Sequence, residues 1–202
     1  MLGVQKLVLE KIRQMDRGTI FFIDDFIELG SSGAVRIALM ELKKQGIILR
    51  LARGIYCYPQ ISNEYSGYIT PTPETIADTL AKKERVRIIP YGDNAAYNLG
   101  LTGLQVSNLK YLTDGASRII NLSSGKKIIF NHTSEVKIFD FCNETMQMIS
   151  AAIRTLTEEC LDGEKKRIIH KHLRTVPKDE FLKDITIPPA WAGKIILEIW
   201  NN

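Results

Sequence analysis

The stretch from Gly30 to Pro59 constrains the fold more than any other part of the chain. In it an amphipathic helix is stopped by a glycine and followed at once by two short apolar-rich strands around an Arg53-Gly54 turn. Ser31 or Ser32 stands where an N-cap accepts a first-turn amide, and Val35, Ala38, Leu39 and Leu42 repeat at helical spacing. Gly46 supplies a natural C′ residue, where a left-handed backbone ends the helix. The strands are expected near Ile47 to Leu51 and Ile55 to Tyr58, and Pro59 closes the unit. With the apolar stripe turned inward, Ser32, Gly33, Arg36, Met40 and Lys43 fall on the opposite side of the helix.

Upstream, Val4, Leu7, Val8 and Ile12 mark a first helix that Gly18 ends. The run TIFFI predicts a brief strand, and Asp24 is placed to cap a short helix through Leu29. Three helices with a hairpin directly behind the third, over residues 1–60, describe a winged helix-turn-helix.

Residues 61–72 are polar and turn-rich and read as a linker. Thr72, Pro73 and Glu74 then predict a helix start, with the helix running to about Lys83. A second domain over 73–202 follows, with VRIIP as a short strand and DNAAYNLGL as a helix capped by Asp93. Strand-like runs QVSNLKYLT, ASRIINL and KKIIFNHT, separated by Asp114-Gly115 and Ser123-Ser124-Gly125, predict an antiparallel meander. Helices return from Asn143: one with Met146, Ile149, Ile153 and Leu156 inward, a basic one after Gly163, a short one near Pro177, and a last one with Trp191, Ile195 and Ile199 facing the core. The expected class is α+β, a winged helix-turn-helix followed by a mixed domain with a small antiparallel sheet and C-terminal helices.

A helix of this kind fits the major groove, its first residues reach base edges and flanking cations hold phosphates. Ser31 and Ser32, with the first-turn amides, suit a phosphate or base contact, and Arg36 one turn further in is the side chain expected to read a base. Lys43 and Lys44 are expected to make non-specific contacts, while Arg50 and Arg53 of the hairpin reach backbone or minor groove and Gly54 makes the turn. Charge agrees in direction: the net charge is +4, and residues 1–60 hold nine Lys/Arg against six Asp/Glu. Winged helices also serve as protein-interaction adaptors, and that reading stays open. Tyr56 and Tyr58 read as packing residues.

No apolar run long enough to span a bilayer is present, and charges interrupt the N-terminal apolar residues, so a cytoplasmic protein is expected. The three cysteines, Cys57, Cys142 and Cys160, are odd in number and far apart, which argues against a disulfide framework or zinc site. No cofactor or metal is expected.

LGSSGAVRIALMELKKQGIILRLARGIYCYP resembles the N-terminal domain of AbiEi-type antitoxins, in which the helix leads to a wing of the form leucine-x-arginine-glycine-x-tyrosine. Here those positions are Leu51, Arg53, Gly54 and Tyr56. PYGDNAAYNLGLT and KYLTDG are similar to the domain that follows in that family. The resemblance implies a transcriptional autorepressor binding inverted repeats in its own promoter, with a C-terminal domain that antagonises a co-encoded nucleotidyltransferase toxin. Members without a toxin neighbour would be plain regulators. Gly33 and the two serines make this helix start less cationic than expected for a tight binder, so two copies on paired sites are expected.

An enzymatic alternative is a metal-dependent nuclease, with Asp114 on one strand and Glu135-x-Lys137 on another holding a divalent ion and supporting the attacking water. Asp114-Gly115 reads better as a hairpin turn. LGSSG resembles the signature of nucleotidyltransferases, but no acidic pair follows it. His170 and His172 diverge if they lie on a helix, and the basic run Lys165 to Arg174 is either a solvated face, extra DNA backbone contacts or a surface for an acidic partner.

Overall fold

The computed structural model describes residues 3–62, 67–103, 106–156 and 160–202. Residues 63–66 of the expected linker and Gln105, at the start of an expected strand, lie outside the described residues. The fold is α+β, and the chain divides into two compact units, Met1–Leu80 with Ile120–Lys126, and Ala81–Ile119 with Lys127–Asn202.

In the first unit, helix α1 (Val4–Arg13) buries Val8 and Ile12, and strand β1 (Ile20–Phe22) leads into a 3-10 helix over Ile23–Leu29. Asp25, rather than Asp24, secures that turn by accepting the Phe22 amide at 2.7 Å. The 3-10 helix begins at Ile23, so the residue that reaches back to its start is the third one. Helix α2 (Ser32–Lys44) is capped by Ser31, whose hydroxyl accepts the Ala34 amide at 3.3 Å. Gly46 follows at φ +71°, and strands β2 (Leu49–Ala52) and β3 (Ile55–Cys57) form the hairpin.

The three strands pair antiparallel in the order β1-β3-β2, so the chain builds a winged helix with α2 directly ahead of the wing. Its core is Val8, Ile12, Phe21, Phe26, Val35, Leu39, Leu42 and Ile48. Phe21 meets Phe26 edge-on at 5.4 Å and stacks with Tyr56 at 6.0 Å, which accounts for Tyr56 as a packing residue.

The expected linker is partly structured. Strands β4 (Gln60–Ile61) and β5 (Tyr68–Ile69) pair antiparallel, and the Tyr68 hydroxyl donates to the Gly46 carbonyl at 2.9 Å. Helix α3 (Pro73–Glu84) starts on the Thr72 hydroxyl, which accepts the Thr75 amide at 3.2 Å. The first unit therefore extends past the boundary expected at residue 60.

It also takes in a distant segment, because β2 is the outer strand of its sheet and carries unpaired backbone groups. Leu122 bridges to Ala52 antiparallel, and the Ser123 amide donates to the Leu51 carbonyl at 2.7 Å.

Strands β6 (Ile88–Pro90), β7 (Asn108–Thr113), β8 (Arg118–Asn121) and β9 (Lys127–His132) form a sheet in the order β6-β7-β9-β8. The expected antiparallel meander is corrected: β7 and β9 run parallel, from Asn108 opposite Lys127 to Thr113 opposite His132. The chain leaves β7, forms β8 one place away and inserts β9 between them, so Asp114-Gly115 does not close a hairpin.

In the second unit, α4 (Asp93–Asn98) starts with Asp93 as its first residue, and the capping position belongs to Gly92 at φ +70°. Helices α5 (Glu144–Ile153), α6 (Gly163–Leu173), α7 (Lys178–Asp184) and α8 (Ala190–Asn201) enclose a core of Met146, Ile149, Ile169, Leu173, Phe181 and Ile196. On α8 the inward face is Ala192, Ile195, Ile196 and Ile199, whereas Trp191 lies one step off that face and is 47% exposed. Asp184, buried, accepts the amides of Cys142 and Asn143 at 2.9 Å each and ties α7 to the start of α5.

Candidate nucleic-acid interface

The outward face of α2 carries Gly33, Arg36, Ile37, Met40 and Lys43, a helical repeat of i, i+3, i+4, i+7 and i+10. Lys44, on the same exposed side, is ion-paired with Glu41 at 2.9 Å. Beside this face stands the wing. Arg50 is exposed on β2, and the register shifts between Arg50 and Ala52, so the strand is bulged next to the arginine. Arg53 and Gly54 form the tip, with Gly54 at φ +80°. A methyl group there would meet only Ile23 Cδ1 at 3.9 Å, so the backbone conformation, not space, selects glycine.

Between helix and wing lies an open groove of about 650 Å³, lined by Ile23, Arg36, Met40, Lys43, Arg50, Arg53, Gly54 and Tyr56. Five of the seven residues singled out by sequence meet in it: Arg36, Lys43, Arg50, Arg53 and Gly54. Ser31 and Ser32 do not line it; they sit exposed at the start of α2, where the Ser31 hydroxyl is occupied as a cap. The first-turn amides of Ser32 and Gly33 have no acceptor within a helix, and the space around Gly33 is open.

The groove is electrostatically one-sided. No carboxylate lines it, and among the described residues none is ion-paired with Arg36, Lys43, Arg50 or Arg53. Arg50 donates through Nε to the Ala52 carbonyl at 3.2 Å, which steers its guanidinium and leaves the terminal nitrogens to other partners. Two other cations of the first unit are used inside the scaffold: Lys11 donates to the Asp25 carbonyl at 2.6 Å, and Arg17 donates to the Pro59 carbonyl at 3.0 Å while lying over Tyr58.

Four like charges lining one groove repel one another, and an anion crossing the groove would relieve that repulsion. Ile37 and Met40 add exposed apolar surface, 61% and 46% accessible, to the same helix face. Sequence reasoning passed over Ile37, and over Ile23 and Tyr56 as lining. The available signal for Ile37 was its place one turn after Gly33, opposite the apolar stripe.

Both carboxylates of the nuclease reading are ion-paired with arginines. Asp114 accepts both the amide and Nε of Arg87 at 2.8 Å, and Arg87 holds its carboxyl below the usual carboxylate range. Glu135 pairs with Arg154 at 2.6 Å, and Glu135 and Lys137 lie beyond the end of β9, Lys137 in a 3-10 turn over Val136–Phe139 rather than on a strand. Among the described residues no group of three or more His, Cys, Asp or Glu is placed to hold a metal. On α6, His172 is half-buried with Nε2 3.0 Å from the Leu99 carbonyl, a packing role rather than a solvated one. Cys57 is buried in β3, and burial pushes its thiol up to about 11.

Residues 7–181 match the family described as "Family of unknown function (DUF6088)". No curated protein matches the sequence significantly. Among solved structures, the RV2827C protein from Mycobacterium tuberculosis is similar at 13% identity and a TM-score of 0.43, over 98% of this chain and 82% of that one.

Proposed function

The chain belongs to the family of unknown function DUF6088, and we propose that it is a DNA-binding transcriptional regulator without catalytic activity. The observation that carries this reading is the groove between α2 and the wing, where four cations without counter-charge stand beside an exposed helix face. Duplex DNA offers a regular array of phosphates to such a groove, and α2 in the major groove would bring Arg36 to a guanine edge. Ile37 and Met40 suit the methyl groups of thymines. Arg53 at the wing tip would lie on the adjacent backbone or in the minor groove. The low cationic content at the start of α2 favours two copies on inverted repeats.

The antitoxin role rests on the resemblance to AbiEi-type antitoxins. In that reading the protein represses its own promoter from the cytoplasm and its C-terminal domain opposes a nucleotidyltransferase-like toxin. No helix of the described residues is long and apolar enough to cross a membrane. A second reading, a winged-helix protein-interaction adaptor, is favoured only by the apolar Ile37 and Met40 at the centre of the exposed face.

Binding of the full chain to the DNA upstream of its own reading frame, followed by fluorescence anisotropy across a salt series, separates the two. A regulator binds with an affinity that falls steeply as salt rises and prefers its own upstream DNA to an unrelated duplex. An adaptor shows neither behaviour.

A further inference from the structure

The first unit has a second concavity, of about 550 Å³, on the side of the wing reached by Leu122 and Ser123. We propose that it binds a small amphipathic organic anion, an acidic head on a hydrocarbon or aromatic body. The ligand competes with DNA for Lys43 and Arg50; the competition rests on the DNA-binding reading above, whereas the pocket does not.

Its volume lies within the range of small-molecule sites, which are mostly apolar with a few convergent polar groups. The apolar part is Leu49, Leu51, Pro71, Pro73, Ile76 and Leu122, of which Leu51, Ile76 and Leu122 are buried. The polar part is cationic and hydroxylic: Lys43, Arg50 and Lys126, with Thr70, Ser123 and Ser124. No carboxylate lines the cavity.

Among the described residues the Lys126 ammonium and the hydroxyls of Thr70, Ser123 and Ser124 have no protein hydrogen-bond partner, while Thr72 is occupied in capping α3. Thr70, Ser123 and Ser124 are exposed and Lys126 is half-buried, so hydrated donors stand beside an apolar wall, an arrangement suited to a ligand that supplies both an anion and a body to cover that wall. A DNA backbone supplies only the first, which favours a small molecule over a continued DNA track. Lys43 and Arg50 line both this cavity and the groove facing DNA, so one side chain cannot serve both anions fully. Binding of the two ligands is therefore antagonistic, and the antagonism is reciprocal.

The test uses the full chain and anilinonaphthalene sulfonate, an aromatic sulfonate that fluoresces when it leaves water. Wild type should bind one dye per chain saturably. Lys126→Glu removes a cation that lines this cavity and not the groove, and Thr70→Trp fills the cavity from an exposed position. Each should weaken dye binding by about tenfold or more, while Arg53→Ala, which touches only the groove, should leave it unchanged.

Equal dye binding by all four proteins, or binding that does not saturate, would overturn the pocket. Dye should also weaken DNA binding by wild type and not by Thr70→Trp. Site-specific dye binding with unchanged DNA affinity would overturn the competition. Failure of dye-free wild type to bind DNA would sink the regulator reading and the competition with it, while the dye pattern would still decide the pocket.

Discussion

Arg87 holds Asp114 by two hydrogen bonds of 2.8 Å, one from its backbone amide and one from Nε, and extends Nη1 to Asp140 at 3.1 Å. The arginine therefore joins the start of β6 to the end of β7 and to the end of the 3-10 turn over Val136–Phe139. Its pairing lowers the Asp114 pKa, chiefly through the side-chain hydrogen bond. A depressed carboxylate contributes stability that is present above its unfolded pKa and lost as pH falls through the folded one. Arg87 stays protonated throughout.

Asp114→Asn should thus flatten the acid limb of a melting curve below about pH 4, while near neutral pH it lowers Tm by no more than about 2 °C, because solvent reaches and screens the half-exposed pair. Calorimetry across a pH series checks this. An unchanged acid limb would show that the pair contributes nothing to folding.

Two arginines of the basic groove should fail in different ways. Arg36→Ala should cost about 1–3 kcal/mol on the preferred duplex and relax the preference at one base position, leaving non-specific affinity nearly intact. Arg53→Ala should weaken binding to every sequence and reduce the salt slope by about 1. Anisotropy on preferred and unrelated duplexes at several salt concentrations distinguishes the two patterns.

Ile37 provides a separate handle, since it is 61% exposed and packs into no core. Ile37→Asn should leave Tm within about 1 °C of wild type, as a surface change does. It should nonetheless alter the ranking of duplexes that differ in thymine content. An unaltered ranking would remove Ile37 from the interface.

Gly54 should tolerate no side chain cheaply, even though room exists for one. Gly54→Ala should destabilise the protein by about 1–2 kcal/mol through the left-handed backbone alone. Chemical denaturation measures that loss, and an increase in stability would mean that the wing tip relaxes freely.

Among the described residues Asp184 is the one fully buried carboxylate. Besides the two amides it accepts the Cys142 thiol at 2.9 Å, and this bond raises the Cys142 pKa. Asp184→Ala should cost on the order of 2–4 kcal/mol, because amides lose their acceptor at a buried site. The Cys142 thiol should then alkylate faster at a given pH, since the carboxylate that opposes thiolate formation is gone. Denaturant titration and timed iodoacetamide labelling read the two effects.

The winged helix was legible because its signals are local. Ser31, the stripe from Val35 to Leu42, Gly46 and Gly54 each act within a few residues, and the structure keeps each in the role its chemistry suggests. The groove was legible for a related reason: a cation opposite an apolar stripe must face outward, so the pattern alone places Arg36 and Lys43 on the exposed side.

Pairing between distant strands was not legible. Leu109, Tyr111 and Thr113 alternate with exposed or half-buried neighbours, and so do Ile128 and Phe130. Such alternation is the same for a parallel or an antiparallel partner, so the order of β7, β8 and β9 could not be read from it. Nor does anything in SSGK indicate that its neighbours close the edge of a strand some seventy residues earlier. Asp93 misled because a helix that starts after a left-handed glycine needs no side-chain cap at that position.

The contact of Leu122 and Ser123 with β2 bears on how the winged helix could be studied alone. A fragment ending at residue 62 would keep α1, α2 and all three strands of the sheet, yet it would strip the partner from the Leu51 carbonyl and leave β2 as a bare rim. Such rims recruit other chains. The excised piece would self-associate through that strand, and its apparent stoichiometry on DNA would then reflect the cut rather than the protein.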